Sequence, residues 1–329
     1  MVTSEVVPSN TKHPQLQALL DNVQERFTHG GMTGAMDVLI DGLHEIFHNA
    51  EPEHWPEIEA EARGHLLNEW LQRDPLTRRC SKKPRGYSGD AVTLDILYGV
   101  SGAMSRPSRQ LSRIPLAVHC YTANLSDASR AVRYRRERLA QEIDQAAARR
   151  SNARVLSVAC GHLREADLSY RFRQGHVGLL VGLDQDSVSL AEVQQRIGGP
   201  GVQTIQASVK QILQQRVRLT DFDLVYSAGL FDYLPDKAAR ALAAWMWDAL
   251  RPGGRLLLTN FRRGHRDAGY MRCFMDWKLL YRSEQELGAM VESAMPDVSP
   301  VNVTVDPFGC VVYATADKKA ASPAASNGL

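Results

Sequence analysis

Gly161 and Asp184 are the residues of this 329-residue chain whose types and spacing first suggest chemistry. Gly161 ends the run Ala153-Arg-Val-Leu-Ser-Val-Ala-Cys-Gly161. A glycine there lets the backbone turn tightly and come close to a ligand. Asp184 closes a second apolar run, Val177-Gly-Leu-Leu-Val-Gly-Leu183, where a carboxylate can accept hydrogen bonds from a ribose diol. A dinucleotide needs further glycines so that its pyrophosphate can sit on a helix N-terminus. The later positions here hold Leu163 and Glu165, and a glutamate repels phosphate. The pair therefore predicts a nucleoside ligand without phosphates. S-adenosylmethionine fits, with a cationic sulfonium and amino group beside its ribose. The plainer alternative is that Gly161 only turns the chain.

Strands must hold those residues. Val155 to Val158 and Val177 to Leu183 read as buried parallel strands joined through a helix-like segment. A third strand is predicted at Val202-Gln-Thr-Ile-Gln-Ala, followed by Ser208 and Val209. Phe222-Asp-Leu-Val-Tyr is a fourth, leading into Ser227-Ala-Gly-Leu-Phe-Asp-Tyr-Leu234, and Arg255-Leu-Leu-Leu-Thr-Asn-Phe261 a fifth. Helices are predicted over 187–197, 237–250 and 283–295, with a closing antiparallel pair at 301–305 and 310–315. This alternation over 151–317 predicts an α/β fold, a Rossmann-like sheet that is mostly parallel with an antiparallel last strand. Ligands of such sheets bind beyond the carboxyl ends of the strands, where strand order reverses. Gly161, Asp184, Ser208 and Ser227 to Tyr233 fall at that edge.

Residues 1–150 read as an N-terminal helical subdomain that also covers the site. The chain is expected to fray up to about residue 13. Apolar stripes follow at helical spacing through Leu16, Leu20, Val23 and Phe27, and again through Met36, Leu39, Ile40, Leu43 and Phe47. They suit a core or a dimer face. The loop Cys80-Ser-Lys-Lys-Pro-Arg-Gly-Tyr-Ser-Gly-Asp90 gathers Arg85, Tyr87 and Asp90, the mixture of charge and aromatic character in which ligand contacts concentrate; the alternative is a helix-capping connector. After a polar loop over 99–115, one long helix is predicted over 118–148, its arginines mostly solvated. Residues 262–282 are expected to cover the pocket mouth and form much of the acceptor site, and the Ala/Ser/Pro tail 318–329 to be disordered.

A formal net charge of +2 gives no argument for nucleic acid or an anionic membrane. The five cysteines are scattered without a CxxC pair, which favours free thiols in a reducing, cytoplasmic compartment and no zinc site. No apolar run approaches the ~18 residues of a membrane helix, and the N-terminus lacks signal-peptide character.

With these segments placed, residues 151–317 resemble class I S-adenosylmethionine-dependent methyltransferases, through VLSVACG, GLDQD, FDLVYSAGLFDYL and LRPGGRLLLTNF in order. More specifically, KPRGYSGD, ASRAVRYRRERL, YSAGLFDYLPD and MDWKLLYRS are similar to a bacterial subfamily labelled as extracellular-factor 3-hydroxypalmitic acid methyl ester biosynthesis methyltransferases. The sequence departs from the common class I pattern in lacking the second and third motif glycines. The resemblance implies that Ala159 and Gly161 border the methionine portion, Asp184 holds the ribose and Gln185 lies beside the adenine. It further implies Ser208 and Val209 on the adenine edge, and Ser227, Ala228 and Gly229 flooring the site near the sulfonium. Arg85, Tyr87 and Asp90 would close over the cofactor, with Arg85 on its carboxylate.

Methyl transfer from a sulfonium is an in-line displacement, so alignment dominates. A carboxylate acceptor is already ionised at neutral pH, whereas a phenol or alcohol needs a base. No His/Asp pair shows catalytic spacing, His162 and His265 each reading first as structural. Tyr87, Asp232, Tyr270 and Asp276 are the catalytic candidates, and Phe231, Tyr270, Trp277, Tyr281 and Arg282 the candidates for the acceptor site. The leading expectation is O-methylation of a small-molecule carboxylate such as a hydroxy fatty acid. Its rivals are base-assisted O- or N-methylation of a natural-product intermediate, and cofactor binding without turnover. Partners are expected to be a small-molecule acceptor, with neither nucleic acid nor membrane, and a homodimer as an option.

Overall fold

A computed structural model of the chain describes residues 12–30, 32, 34–100, 102, 113–295 and 300–320. The expected frayed start, most of the 99–115 loop and the end of the tail lie outside these residues. Contacts divide the chain into two compact units. One comprises Met1–Ser88, Met104–Ser126 and Arg266–Lys278; the other comprises Gly89–Ala103, Asp127–His265 and Leu279–Leu329. The division differs from the expected cut at 150. Asp127 begins a helix packed against the sheet, and Arg266–Lys278, expected at the mouth of the sheet's pocket, groups with the helical unit.

The helical unit is built on amphipathic pairs. Helices Pro14–Thr28 and Ala35–Asn49 pack together, burying Leu16, Leu20 and Val23 of one and Met36, Leu39, Ile40 and Leu43 of the other, the expected apolar stripes. Asp74 organises a second part of this unit. It caps helix Pro75–Lys82 through the backbone N–H groups of Leu76 and Thr77. It also accepts hydrogen bonds from His119 Nδ1 at 2.7 Å and Thr122 Oγ1 at 2.9 Å.

The second unit is a seven-stranded sheet in the order β3-β2-β1-β4-β5-β7-β6. Its strands are β1 (Ala153–Val158), β2 (Val177–Asp184), β3 (Val202–Gln206), β4 (Phe222–Ser227), β5 (Leu250–Phe261), β6 (Asn302–Val305) and β7 (Val311–Asp317). Strands β1 to β5 are parallel, while β7 runs antiparallel to both β5 and β6. Strand order reverses between β1 and β4, so their carboxyl ends flank the switch point. Successive residues serve opposite faces. Leu156, Val225 and Leu258 pack with Met246 and Trp247 of helix Asp236–Asp248 on one side. Val155, Leu224 and Leu257 pack with Leu139 and Ile143 of helix Asp127–Arg149 on the other.

Two expected helices differ. The long one is interrupted: helix Arg113–Cys120 runs into a widened turn, Tyr121–Leu125, and Ser126 is extended at ψ 143° before the next helix starts at Asp127. After β1 the chain makes only a 3₁₀ turn, Arg164–Asp167, and a single helical turn, Tyr170–Arg173. Leu163 precedes the first in a left-handed conformation, and Ser169 separately caps the second, so no continuous helix forms.

Candidate cofactor site

The turn after β1 keeps a glycine-like backbone with one glycine. Ala159, Gly161 and Leu163 have φ of 56°, 52° and 51°, the left-handed region that costs a non-glycine residue roughly 1–2 kcal/mol. Packing holds the turn: Leu163 is 1% exposed within the core, and the Cys160 N–H donates to the Leu183 carbonyl at 3.1 Å. A Cβ on Gly161 would stand 3.3 Å from the Ala91 side chain, so the glycine also admits helix Ala91–Tyr98. Asp184, at the end of β2, accepts the Gly161 N–H through Oδ2 at 2.8 Å and the Asp186 N–H through Oδ1 at 2.9 Å. The β1 turn and the acid are thus joined directly, with a carboxylate whose remaining lone pairs can meet hydroxyls.

Around them, Gln185 is exposed and its carbonyl accepts from Gln206 Nε2. Ser208 caps the short helix Val209–Leu213 in a reciprocal arrangement with Gln211. The Ser227 hydroxyl donates to the Val158 carbonyl at 2.8 Å, pinning β4 to β1 at the switch point. Ala228 packs on the core, and Gly229 turns the chain at φ 87°.

Asp90 caps helix Ala91–Tyr98 through the Thr93 N–H at 2.8 Å. That helix delivers Asp95 to the β1 turn. Asp95 accepts from His162 Nδ1 at 2.8 Å, Arg164 Nε at 2.7 Å and Arg164 Nη2 at 2.6 Å. Burial opposes its charge, yet the hydrogen bonds from Arg164 and His162 prevail and hold its pKa below the usual carboxylate value. This His/Asp pair joins residues 67 positions apart, beyond what local spacing reveals. Deeper in the same unit the Tyr226 hydroxyl donates to Glu165 Oε1 at 2.6 Å; burial raises the Glu165 pKa, and this hydrogen bond opposes the rise.

The remaining candidates divide between the units. Arg85, Tyr87, Tyr270, Asp276 and Trp277 belong to the helical unit; Asp90, Phe231, Asp232, Tyr281 and Arg282 belong to the sheet unit. Tyr270 is 2% exposed with its hydroxyl 2.9 Å from Thr77 Oγ1. Asp276 pairs with Lys83 and lines a cleft of about 660 Å³ with Arg63, Gln72 and Arg78. Phe231 is wholly buried in the core. Arg282 spends its donors on the carbonyls of Phe231 and Leu234 and on Asn260 and Asp236, an arrangement that fixes the chain after β4 against β5. Asp232 accepts the Phe261 N–H, and burial pushes its pKa up to about 6.

The basic run of helix Asp127–Arg149 is not uniformly solvated. Arg130 is exposed, but Arg135 is 3% exposed. Its signal was present in the sequence: Val132, Arg135, Leu139, Ile143 and Ala146 form one buried stripe at helical spacing, with an arginine where an apolar residue belongs.

The strand order with its antiparallel β7, and the β1 turn joined to the β2 acid, define the class I methyltransferase fold, whose cofactor is S-adenosylmethionine. Residues 155–254 match a family described as "Methyltransferase domain". No curated protein matches the chain. Among solved structures, a possible exported protein from Bordetella parapertussis is similar, with 16% identity over 95% of this chain and 100% of that one and a TM-score of 0.57; at this identity the likeness shows shared fold alone. A magnesium protoporphyrin IX methyltransferase from Synechocystis PCC 6803 is 13% identical over 65% of this chain and 90% of its own, with a TM-score of 0.45. A 1,6-didemethyltoxoflavin-N1-methyltransferase from Burkholderia thailandensis is 22% identical over 56% and 78%, with a TM-score of 0.42. Among the described residues no helix is long and apolar enough to cross a membrane.

Proposed function

We propose that the chain is an S-adenosylmethionine-dependent methyltransferase that esterifies a small-molecule carboxylate, a hydroxy fatty acid in the first instance. The observation that carries the cofactor reading is the Asp184–Gly161 junction at the switch point. It combines a close backbone approach with a carboxylate suited to the ribose diol, and the sequence carries Glu165 where the dinucleotide motif has a glycine. The carboxylate acceptor is supported by the subfamily resemblance and by its chemistry, since an ionised acid needs positioning and no base. Ala159, Gly161, Asp184, Gln185, Ser208, Val209, Ser227, Ala228 and Gly229 are the proposed cofactor contacts. The scattered cysteines with no CxxC pair support a reducing, cytoplasmic setting.

A second reading, base-assisted methylation of a phenol or amine, is favoured by the buried His162–Asp95 pair beside the turn. Calorimetry with S-adenosylhomocysteine, followed by labelled methyl transfer to a panel of acids, phenols and amines, separates these readings. Esters only from acids support the first; products only from phenols or amines, with rate lost at low pH, support the second. Binding without any product supports a non-catalytic cofactor-binding protein. Asp184→Ala is expected to weaken S-adenosylhomocysteine binding by more than about tenfold, because a charged acceptor to ligand hydroxyls is lost. An unchanged dissociation constant sinks the assignment of the β2 acid.

A further inference from the structure

Arg135 is a buried cation whose own fold does not complete its partners. The side chain is 3% exposed, and its Nε has no hydrogen-bond partner. The Tyr98 hydroxyl hydrogen bonds to the guanidinium. No carboxylate among the described residues lies at ion-pair distance, although Asp232 and Glu165 act on it through space. An arginine has only donors, and an unpaired buried charge is among the costliest groups a fold can carry.

Its surroundings repeat the pattern. Tyr313 on β7 and Thr259 on β5 are directly paired in register, so their side chains share one face of the sheet. Both are buried, and neither hydroxyl has a hydrogen-bond partner among the described residues. This is the face against which helix Asp127–Arg149 packs, and Tyr313 is among the groups acting electrostatically on Arg135. The guanidinium also marks the carboxyl edge of the sheet. A Cβ on Gly229, in the turn after β4, would stand 3.4 Å from Arg135 Nη1 and 3.5 Å from Nη2. Three incomplete polar groups therefore sit in one buried layer beside the switch-point loops, and each can donate a hydrogen bond.

We propose that Arg135, with the Tyr313 hydroxyl, receives the carboxylate of a bound ligand at the β4–β5–β7 end of the sheet. A planar carboxylate matches the guanidinium fork bidentately. The nearby Asp232 and Glu165 disfavour a more highly charged phosphate. Two sources share this chemistry: the methionine carboxylate of the cofactor and the acid group of the acceptor. The proposal rests on the preceding reading for where ligands bind, and deepens it by assigning one ligand group to one side chain.

Arg135→Met and Tyr313→Phe in the full chain, both checked for folding by circular dichroism, supply the test. Binding is measured for S-adenosylhomocysteine against methylthioadenosine, which lacks the amino-acid part, and for decanoate against decanol. Removing one partner of a buried charged pair is expected to weaken the relevant ligand roughly thirtyfold or more, with the matched ligand lacking the carboxylate unaffected. Loss confined to S-adenosylhomocysteine assigns the cofactor's carboxylate; loss confined to decanoate assigns the acceptor's. Unchanged binding of both acids overturns the proposal, as does an equal loss with each control. If Arg135→Met does not fold, Tyr313→Phe decides on the same criterion with a loss of a few fold. A wild-type protein that ignores S-adenosylhomocysteine but binds decanoate through Arg135 would defeat the cofactor reading while sustaining this one.

Discussion

Glu142 and Arg135 lie two turns apart on one helix, both buried, and they are treated in opposite ways. Glu142 meets Arg138 at 3.2 Å and Arg255 at 3.4 Å, and Arg255 in turn meets Asp317. That ion cluster is closed, and it sits toward the edge where the parallel strands begin. Arg135 sits toward the edge where they end, beside the switch-point loop at Gly229, and no carboxylate among the described residues closes it. A buried charge with a complete partner set holds backbone in place. One with an incomplete set is held by the surrounding fold at a cost that a ligand can offset.

The sharpest way to test this distinction is at a second closed cluster. Asp95→Ala removes the acceptor of His162 Nδ1 and the two-pronged partner of the buried Arg164 guanidinium, which among the described residues keeps only Glu192 at 2.9 Å, and is expected to cost about 3 kcal/mol in denaturant unfolding. Because the folded-state pKa of Asp95 lies below its ordinary value, the carboxylate's contribution is present above pH 3.8 and fades as pH falls through the folded value. A mutant as stable as wild type would remove the claim that closed clusters are structural.

Asp232 behaves in the reverse sense. Burial raises its pKa from 3.8 to about 6, so its contribution is greatest below the first value and declines as pH rises through the second, by about 3 kcal/mol. Asp232→Asn should flatten that decline in urea midpoints taken from pH 4 to pH 7. A persisting slope would mean that another group titrates there. Glu142→Ala is expected to cost about 2 kcal/mol, less than Asp95→Ala because its partners Arg138 and Arg255 are more exposed than Arg164 and Arg255 keeps Asp317. If that mutation is neutral, the contrast within the helix disappears. The smallest effect is expected at the β1 turn. Ala159→Gly relieves left-handed strain but frees the unfolded chain, for a net gain of no more than about 1 kcal/mol by thermal unfolding. A clear loss would show that the alanine methyl packs usefully.

Much of the sheet was legible because burial imposes a local pattern. Short apolar runs such as Leu180 to Leu183 and Leu224 to Tyr226, bounded by turn residues, read as strands covered on both faces, and their order along the chain limits the topology. The division between units was less so. Arg266–Lys278 sits between sheet elements in sequence and belongs to the helical unit in space, and no local periodicity records that. The break at Ser126 was hidden similarly, since helical spacing continues through it.

The amino-acid order by itself determined the parallel strands, the glycine at the first turn and the acid at the end of the second. Each is a short-range consequence of side-chain shape and hydrophobicity. Only the tertiary structure decided which charges find partners. His162 and Arg164 reach Asp95, the Gly161 N–H reaches Asp184, and Arg135 reaches no carboxylate among the described residues. Those outcomes depend on distances between residues far apart in the chain, and in a medium of low dielectric a few ångströms separate a closed ion pair from an unpaired charge.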